Sequence, residues 1–286
     1  MKLLPKYLTL LFAVSIITSC SKDNSTPIAN DLTLHFANTF KSTIIVLGEA
    51  TSPDATVNTS AAKQVHHFSE LKYVISNIRL IKDDGTEFPY HINDLDKGAT
   101  VVDQSKIQTL DYKLTNIPAG DYKEIKFGLG VKTELNKLDE TRFPKFYAAA
   151  GANDTKMHWE WGTGYRFTKI EGFYDTDNKT LSIHTGSTVE GEKEDESSYT
   201  QGVDAYREIS LKLPNTASVN KASPKITIDA DFDKLLSGKT NTITLGEANA
   251  TPSLHTALEM VKFADNLGGN GSSDLSGIFS ISKVEN

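Results

Sequence analysis

The densest cluster of potential metal ligands and aromatic side chains in this chain lies at residues 157–161. Met157, His158, Trp159 and Trp161 place a thioether, an imidazole and two indoles within five consecutive positions. Imidazole and thioether groups are the donors that soft ions such as Cu(I) prefer. The segment therefore indicates a soft-metal site, with core-packing sheet aromatics as the alternative interpretation.

The remaining histidines are the other candidate imidazole ligands in this sequence. His35 is predicted to lie in an early strand, on the face opposite Leu34 and Phe36, and is a third candidate metal ligand. His66 and His67 are adjacent, so in a strand they would point to opposite faces and could not easily bind one ion. The seven histidines are His35, His66, His67, His91, His158, His184 and His255.

The only cysteine, Cys20, follows a short apolar run with a positively charged start. The run is shorter than the roughly 20 residues that span a membrane, and it has the size and flanks of a secretory signal. Ile17-Thr18-Ser19-Cys20 resembles the lipobox of bacterial lipoproteins. That resemblance implies a signal peptide at 1–19, lipidation of Cys20 and a lipid-anchored tether at 20–30. An ordinary signal peptide with an incidental cysteine is the alternative.

The predicted location is the outer membrane, with the protein on its periplasmic face or at the cell surface. Ser21-Lys22-Asp23-Asn24 resembles the surface-export signal of Bacteroidetes lipoproteins. The net charge of −7 argues against a nucleic-acid partner, because phosphate binding requires a basic face. Once Cys20 is lipidated, no thiol remains for disulfides or for cysteine-based metal sites. Common enzyme motifs are absent from the sequence, so we predict a binding protein and not an enzyme.

Hydrophobic alternation with a period of two is the main signal beyond residue 30. It is clear at 125–131, 209–213 and 226–232, and Val74, Ile78 and Leu80 are predicted to share one face of a strand. Such alternation is typical of antiparallel sheets with one solvated face. We predict an all-β fold, an antiparallel β-sandwich with Greek-key-like connections, as a single domain over 31–286.

Helical signals are sparse, and they predict one or two short helices. Thr251-Pro252 precedes an apolar stripe at Leu254, Ala257, Leu258 and Val261, and Gly268 would end that helix. A shorter helix is predicted at 145–150.

Several segments, taken in order, resemble the MbnP-like family, copper-binding proteins named from methanobactin operons and common as Bacteroidetes lipoproteins. The most specific part is the block Met157-x-Trp159-x-Trp161-x-x-Gly164-Tyr165. The resemblance covers most of 31–286, and its segments are 68–80, 117–122, 127–131, 157–167, 171–172, 183–186, 263–266 and 278–279.

The resemblance implies a copper site. Some proteins of this family hold Cu(I) with histidines beside a tryptophan that a MauG-type di-haem enzyme has oxidised to kynurenine. Trp159 and Trp161 match the tryptophan block, and His184 matches a His-x-Gly element. The family pattern does not require a histidine at position 158, where this chain has His158. On this basis His158 and His184 are the expected ligands, with a modified tryptophan and Met157 beside them. Copper sequestration or handling is the implied function.

The strand pattern tests whether His184 can reach the tryptophan block. Residues 165–173 and 180–186 are predicted to form a hairpin through the turn at 175–178. In a simple hairpin His184 faces residues near Glu171.

A straight strand from His158 to Glu171 would span roughly 40 Å at ~3.3 Å per residue. His158 and His184 can therefore share an ion only if the chain folds back. Gly162 and Gly164 permit such a bend.

A different class of function is open at this point: a surface β-sandwich that binds carbohydrate or protein. Trp159 and Trp161 would then form an exposed stacking platform.

Overall fold

Alternating and apolar segments of the sequence form the strands of two packed sheets. The computed structural model describes residues 30–151, 155–159, 164–192, 195–220 and 223–286. The strands are β1 (Asn30–Phe40), β2 (Thr43–Ile44), β3 (Asn58–Thr59), β4 (Val65–Lys82), β5 (Glu87–Tyr90), β6 (Thr100–Asp103), β7 (Asp111–Ile117), β8 (Gly120–Leu129), β9 (Arg166–Tyr174), β10 (Lys179–Gly186), β11 (Val189–Glu190), β12 (Thr200–Gln201), β13 (Arg207–Val219), β14 (Lys225–Asp231) and β15 (Phe279–Glu285). The α-helices are α1 (Leu95–Gly98), α2 (Thr133–Asn136), α3 (Pro144–Ala150) and α4 (Ala257–Gly268).

The strand order confirms the predicted two-sheet, β-rich fold. The first sheet runs β15-β14-β1-β2, with β7 also paired to β1. The second runs β10-β9-β4-β8-β13, and the short strands β3, β5 and β6 pair with β4, which is 18 residues long. One pair departs from the predicted antiparallel arrangement, because β1 and β14 are parallel. A small separate ladder joins β11 to β12.

The main core lies between the two sheets and is rich in aromatic side chains. Phe36 of the first sheet makes edge contacts with Tyr73 and Phe127 of the second, with ring centroids 6.0 and 6.4 Å apart. Phe127 also meets Phe279 at 5.3 Å. Edge-to-face pairs of this kind stabilise a core beyond the area they bury.

A second core covers the outer face of the second sheet. Its members include Val74, Met157, Phe167 and, from α3, Phe146. Because this face is covered as well, strands β4 and β9 are buried on both sides. The second core fixes segment 155–159 against the sheet.

A β-bulge in β4 overturns the prediction that Val74, Ile78 and Leu80 share a face. Val74 packs in the second core, whereas Ile78 and Leu80 pack in the main core. The register shifts between Ser76 and Arg79, and Asn77 adopts a left-handed φ of 51°. An extra residue at a bulge reverses the side-chain alternation that follows it.

The helices match their predicted places, with a correction to one buried face. The helix predicted at 145–150 is α3, and the predicted C-terminal helix is α4, which ends at Gly268. Of the predicted stripe, Leu254 and Val261 pack against the second core, but Leu258 is 83% exposed, so its place in the stripe is wrong. The fully buried apolar positions are Met260, Phe263, Ala264 and Leu267, which keep helical spacing. Two further four-residue helices, α1 and α2, were not predicted.

In the part of the chain that the structure describes, every helix is too short or too polar to cross a membrane.

Candidate metal centre

The segment around the tryptophan block folds back on itself before β9. The amide of Arg166 donates to the carbonyl of Met157 at 2.8 Å, and the amide of Trp159 donates to that of Gly164 at 3.2 Å. Gly164 has a φ of +94°, which L side chains rarely adopt, so a glycine is required there. The reversal that the glycines were predicted to permit is confirmed, although Gly162 lies outside the described residues.

Trp159 is buried against the end of β10. Its side chain is 3% exposed, and the guanidinium carbon of Arg166 lies 4.5 Å from the ring centroid. A Cβ atom at Gly186 would lie 3.1 Å from the indole, so the glycine provides the space that the ring occupies. A buried indole of this kind is not an exposed stacking platform for a sugar.

His184 lies beside this indole. The ring centroids of Trp159 and His184 are 6.2 Å apart, with the planes at 63°. The backbone amide of His184 donates to the carbonyl of Pro252 at 3.0 Å, which fixes the strand edge on which the imidazole lies. Its Nε2 lies 2.5 Å from Oε1 of Glu171, so the pairing predicted from the hairpin is confirmed.

His158 lies between two tyrosines. Its ring makes edge contacts with Tyr165 at 5.1 Å and with Tyr147 of α3 at 5.6 Å. Nδ1 donates a hydrogen bond to the carbonyl of Trp159 at 3.0 Å, because a carbonyl oxygen can only accept. Within the described residues no hydrogen bond or ring contact joins His158 to His184.

A row of alternating charges crosses the second sheet beneath the folded-back segment. We call Glu171, Lys169, Glu70, Lys72 and Asp103 the charge row. Lys169 and Lys72 lie 2.5 and 2.6 Å from the Glu70 carboxylate, Lys169 lies 4.0 Å from Glu171, and Lys72 lies 3.8 Å from Asp103. Burial raises the pKa of Glu70, but hydrogen bonds from the two lysines outweigh this effect and hold the pKa below its ordinary value.

The charge row was not predicted from the sequence. Its signal is the period-two spacing of opposite charges in Glu70-x-Lys72 and Lys169-x-Glu171, since such pairs share a strand face. Cross-strand pairing then brings opposite charges together.

Comparison with known proteins assigns the family. The MbnP family model matches residues 29–256, which is most of the chain. The chain belongs to the MbnP family. The structure of MbnP from Methylosinus trichosporium is similar, with a TM-score of 0.57 and 15% identity, over 89% of this chain and 98% of that one. At this identity the likeness establishes the MbnP fold alone. No curated protein sequence matches the chain.

The other candidate ligands of this MbnP-family chain lie apart from His184. His35 is on the outer face of the first sheet, where Nδ1 lies 2.8 Å from the carboxylate of Asp111. Met157 is fully buried in the second core.

The adjacent histidines of β4 face opposite sides, as predicted. The ring of His66 contacts Phe40 of the main core at 5.3 Å. The ring of His67 contacts Phe173 at 5.3 Å, and its Nε2 lies 3.3 Å from the carbonyl of Glu49. The two imidazoles therefore do not form a joint site.

Among the described residues of this MbnP-family chain, no three histidine, cysteine or acidic side chains are arranged to hold a metal ion. Trp161, a candidate for oxidation to kynurenine, and Cys20, the predicted lipidation site, lie outside those residues.

Proposed function

We propose that the protein binds copper as Cu(I) beside Trp159, and that it sequesters copper or passes it on in the cell envelope. The observation that carries this proposal is the contact between the Trp159 indole and the imidazole of His184. The pairing of His158 with Tyr165 places Trp159 near β9, and the MbnP-like resemblance implies the metal.

The donors available in the segment suit this ion. Nδ1 of His184 has no hydrogen-bond partner among the described residues, whereas Nε2 is engaged by Glu171. His158 donates from Nδ1, so in its neutral form the lone pair is on Nε2. Cu(I) accepts two or three soft or imidazole donors. In this proposal His184 and His158 are the ligands, whereas Met157 stays buried in the second core and is not a ligand.

A modified tryptophan completes the proposed site. A MauG-type di-haem partner oxidises Trp159 or Trp161 to kynurenine, whose aromatic amine provides a donor that indole lacks. His35 is not part of the proposed site, because it lies on the other sheet and pairs with Asp111.

Competition with a chromogenic Cu(I) chelator tests the ligand assignment on protein purified from the native host. We expect one tight Cu(I) per chain, and about 100-fold or greater weakening in His184→Ala and His158→Ala, because an imidazole ligand is lost. His35→Ala is the matched control and should bind copper as the natural chain does. Equal affinities in all three variants would overturn the assignment.

The same host-purified protein tests the proposed anchor and partner by intact and peptide mass. We expect the mature chain to begin at Cys20 with diacyl and N-acyl groups, because one acyl chain alone binds membranes only weakly. We expect the peptide with Trp159 and Trp161 to carry one kynurenine. The Cys20→Ala variant should no longer be found in the membrane fraction. An unlipidated Cys20 would contradict the proposed lipid anchor, and two unmodified tryptophans would contradict the proposed kynurenine.

A further inference from the structure

We propose that Glu171 is a positioning residue that holds His184 in the Nε2–H tautomer, so that Nδ1 is the nitrogen offered to the metal. This inference rests on the proposed function for the role of Nδ1. The tautomer itself is a property of the metal-free protein and can be measured without copper.

The hydrogen bond between the two side chains determines the tautomer. Oε1 of Glu171 lies 2.5 Å from Nε2 of His184. A carboxylate can only accept, so the proton of this bond is on Nε2, and a neutral imidazole then carries its lone pair on Nδ1. The hydroxyl of Ser182 lies 3.4 Å from the same Nε2, so both hydrogen-bonding neighbours that the described residues provide for the ring are on this side.

The sheet holds the carboxylate in place. Glu171 lies on β9, and in the ladder with β10 it pairs with Ser182 while His184 pairs with Lys169. Lys169 lies 4.0 Å from the same Oε1 that accepts from His184, and it is itself bound to Glu70 at 2.5 Å. Lys169 thus adds a positive charge beside the oxygen that accepts from His184, which helps to hold the carboxylate in place. Ligands positioned by a carboxylate on a rigid element lose little freedom when a metal binds.

The second imidazole of the proposed site, that of His158, has the opposite tautomer. His158 donates from Nδ1 to the carbonyl of Trp159, which places its lone pair on Nε2. In their neutral forms, these two histidines of the metal-free protein should therefore have different tautomers. This difference gives a spectroscopic signature that a purely structural salt bridge would not produce.

Nitrogen-15 NMR of the histidine rings in the metal-free full chain measures both tautomers. We expect Nε2–H for His184, with a proton that exchanges slowly with water, and Nδ1–H for His158. Glu171→Leu should remove the slowly exchanging proton and weaken Cu(I) binding about 10- to 100-fold, as loss of such a carboxylate typically does.

Asp111→Leu is the matched control, because Asp111 makes the same kind of carboxylate–imidazole pair with His35 on the first sheet, outside the proposed site. It should keep both the protected proton and the copper affinity. If Glu171→Leu does not fold, Glu171→Gln keeps the volume, and its amide, which both donates and accepts, should give a mixture of His184 tautomers.

Two results would overturn the tautomer proposal, and a third would separate it from the proposed function. An Nδ1–H tautomer at His184 would overturn it, as would a Glu171→Leu variant that keeps both the protected proton and the affinity. A natural chain that binds no copper but shows the expected tautomers would overturn the proposed function and support the tautomer assignment.

Discussion

Gly172→Ala is expected to destabilise the protein by more than about 3 kcal/mol, because the new methyl group has no space. Gly172 lies on β9 opposite Phe68 of β4. A Cβ atom there would overlap the carbonyl oxygen of His67 and would lie 2.9 Å from Cα of Phe68. Both are backbone atoms of the longest strand, so they cannot move aside as a flexible side chain could. Urea unfolding at pH 7.5 measures the loss.

Gly246→Ala is the matched control for this prediction. An added Cβ at Gly246 meets nothing within 4 Å. We therefore expect a change in unfolding free energy within about 0.5 kcal/mol. Equal midpoints for the two variants would mean that β9 can separate from β4 without loss, contrary to the prediction.

Acidification from pH 7.5 to 4 is expected to remove about 3 kcal/mol of stability through His66 alone. The imidazole is 1% exposed and packs edge-on against Phe40. Burial lowers its pKa from the ordinary 6.5 to about 4, and the Gln64 backbone and the Asp233 carboxylate offset this only in part. The unfolded chain therefore binds a proton at His66 before the folded chain does. The stabilisation is complete above pH 6.5, decreases between 6.5 and 4, and is lost below 4.

Urea midpoints of the natural chain and of His66→Phe, each measured at pH 7.5 and pH 4, isolate this contribution. The phenylalanine keeps the aromatic packing and cannot be protonated. The unfolding free energy lost between pH 7.5 and pH 4 should therefore be smaller by about 3 kcal/mol in this variant. His255→Gln, at an exposed position, should retain the full acid loss. An identical acid loss in His66→Phe and the natural chain would show that His66 is not the titrating group.

Local pattern was sufficient to predict strands at β1, β4, β8, β9, β10, β13 and β14, and the pairing of His184 with Glu171. Both follow from alternation and from a short turn, so they depend on residues close together in the chain. The side of β4 on which Val74 lies could not be predicted. The side-chain amide of Asn77, which has a left-handed φ, donates a hydrogen bond to the hydroxyl of Tyr206. Tyr206 is far from Asn77 in the sequence, so no local pattern reveals this contact.

The contact between Trp159 and His184 was predicted only as a possibility of the glycine-rich segment. Its geometry depends on the space at Gly186 and on the position of the Arg166 guanidinium over the indole. Gly186 belongs to the His-x-Gly element and Arg166 to the segment 157–167, but no spacing in the sequence shows that both lie against the indole. The charge row is an intermediate case, because its spacing is visible in the sequence while its partners become evident only from the register of β4 and β9.

The parallel pairing of β1 with β14 has a consequence for the order of folding. Thr33 pairs with Lys225 and Thr39 with Asp231, so the earliest described strand is completed by one made much later. During synthesis, the amides and carbonyls along that edge of β1 have no strand to bind until residue 231 has emerged. Ordering so long an intervening loop makes such pairings slow. The first sheet therefore completes only after β14 has been made, and until then its open edge is a surface on which other chains can aggregate.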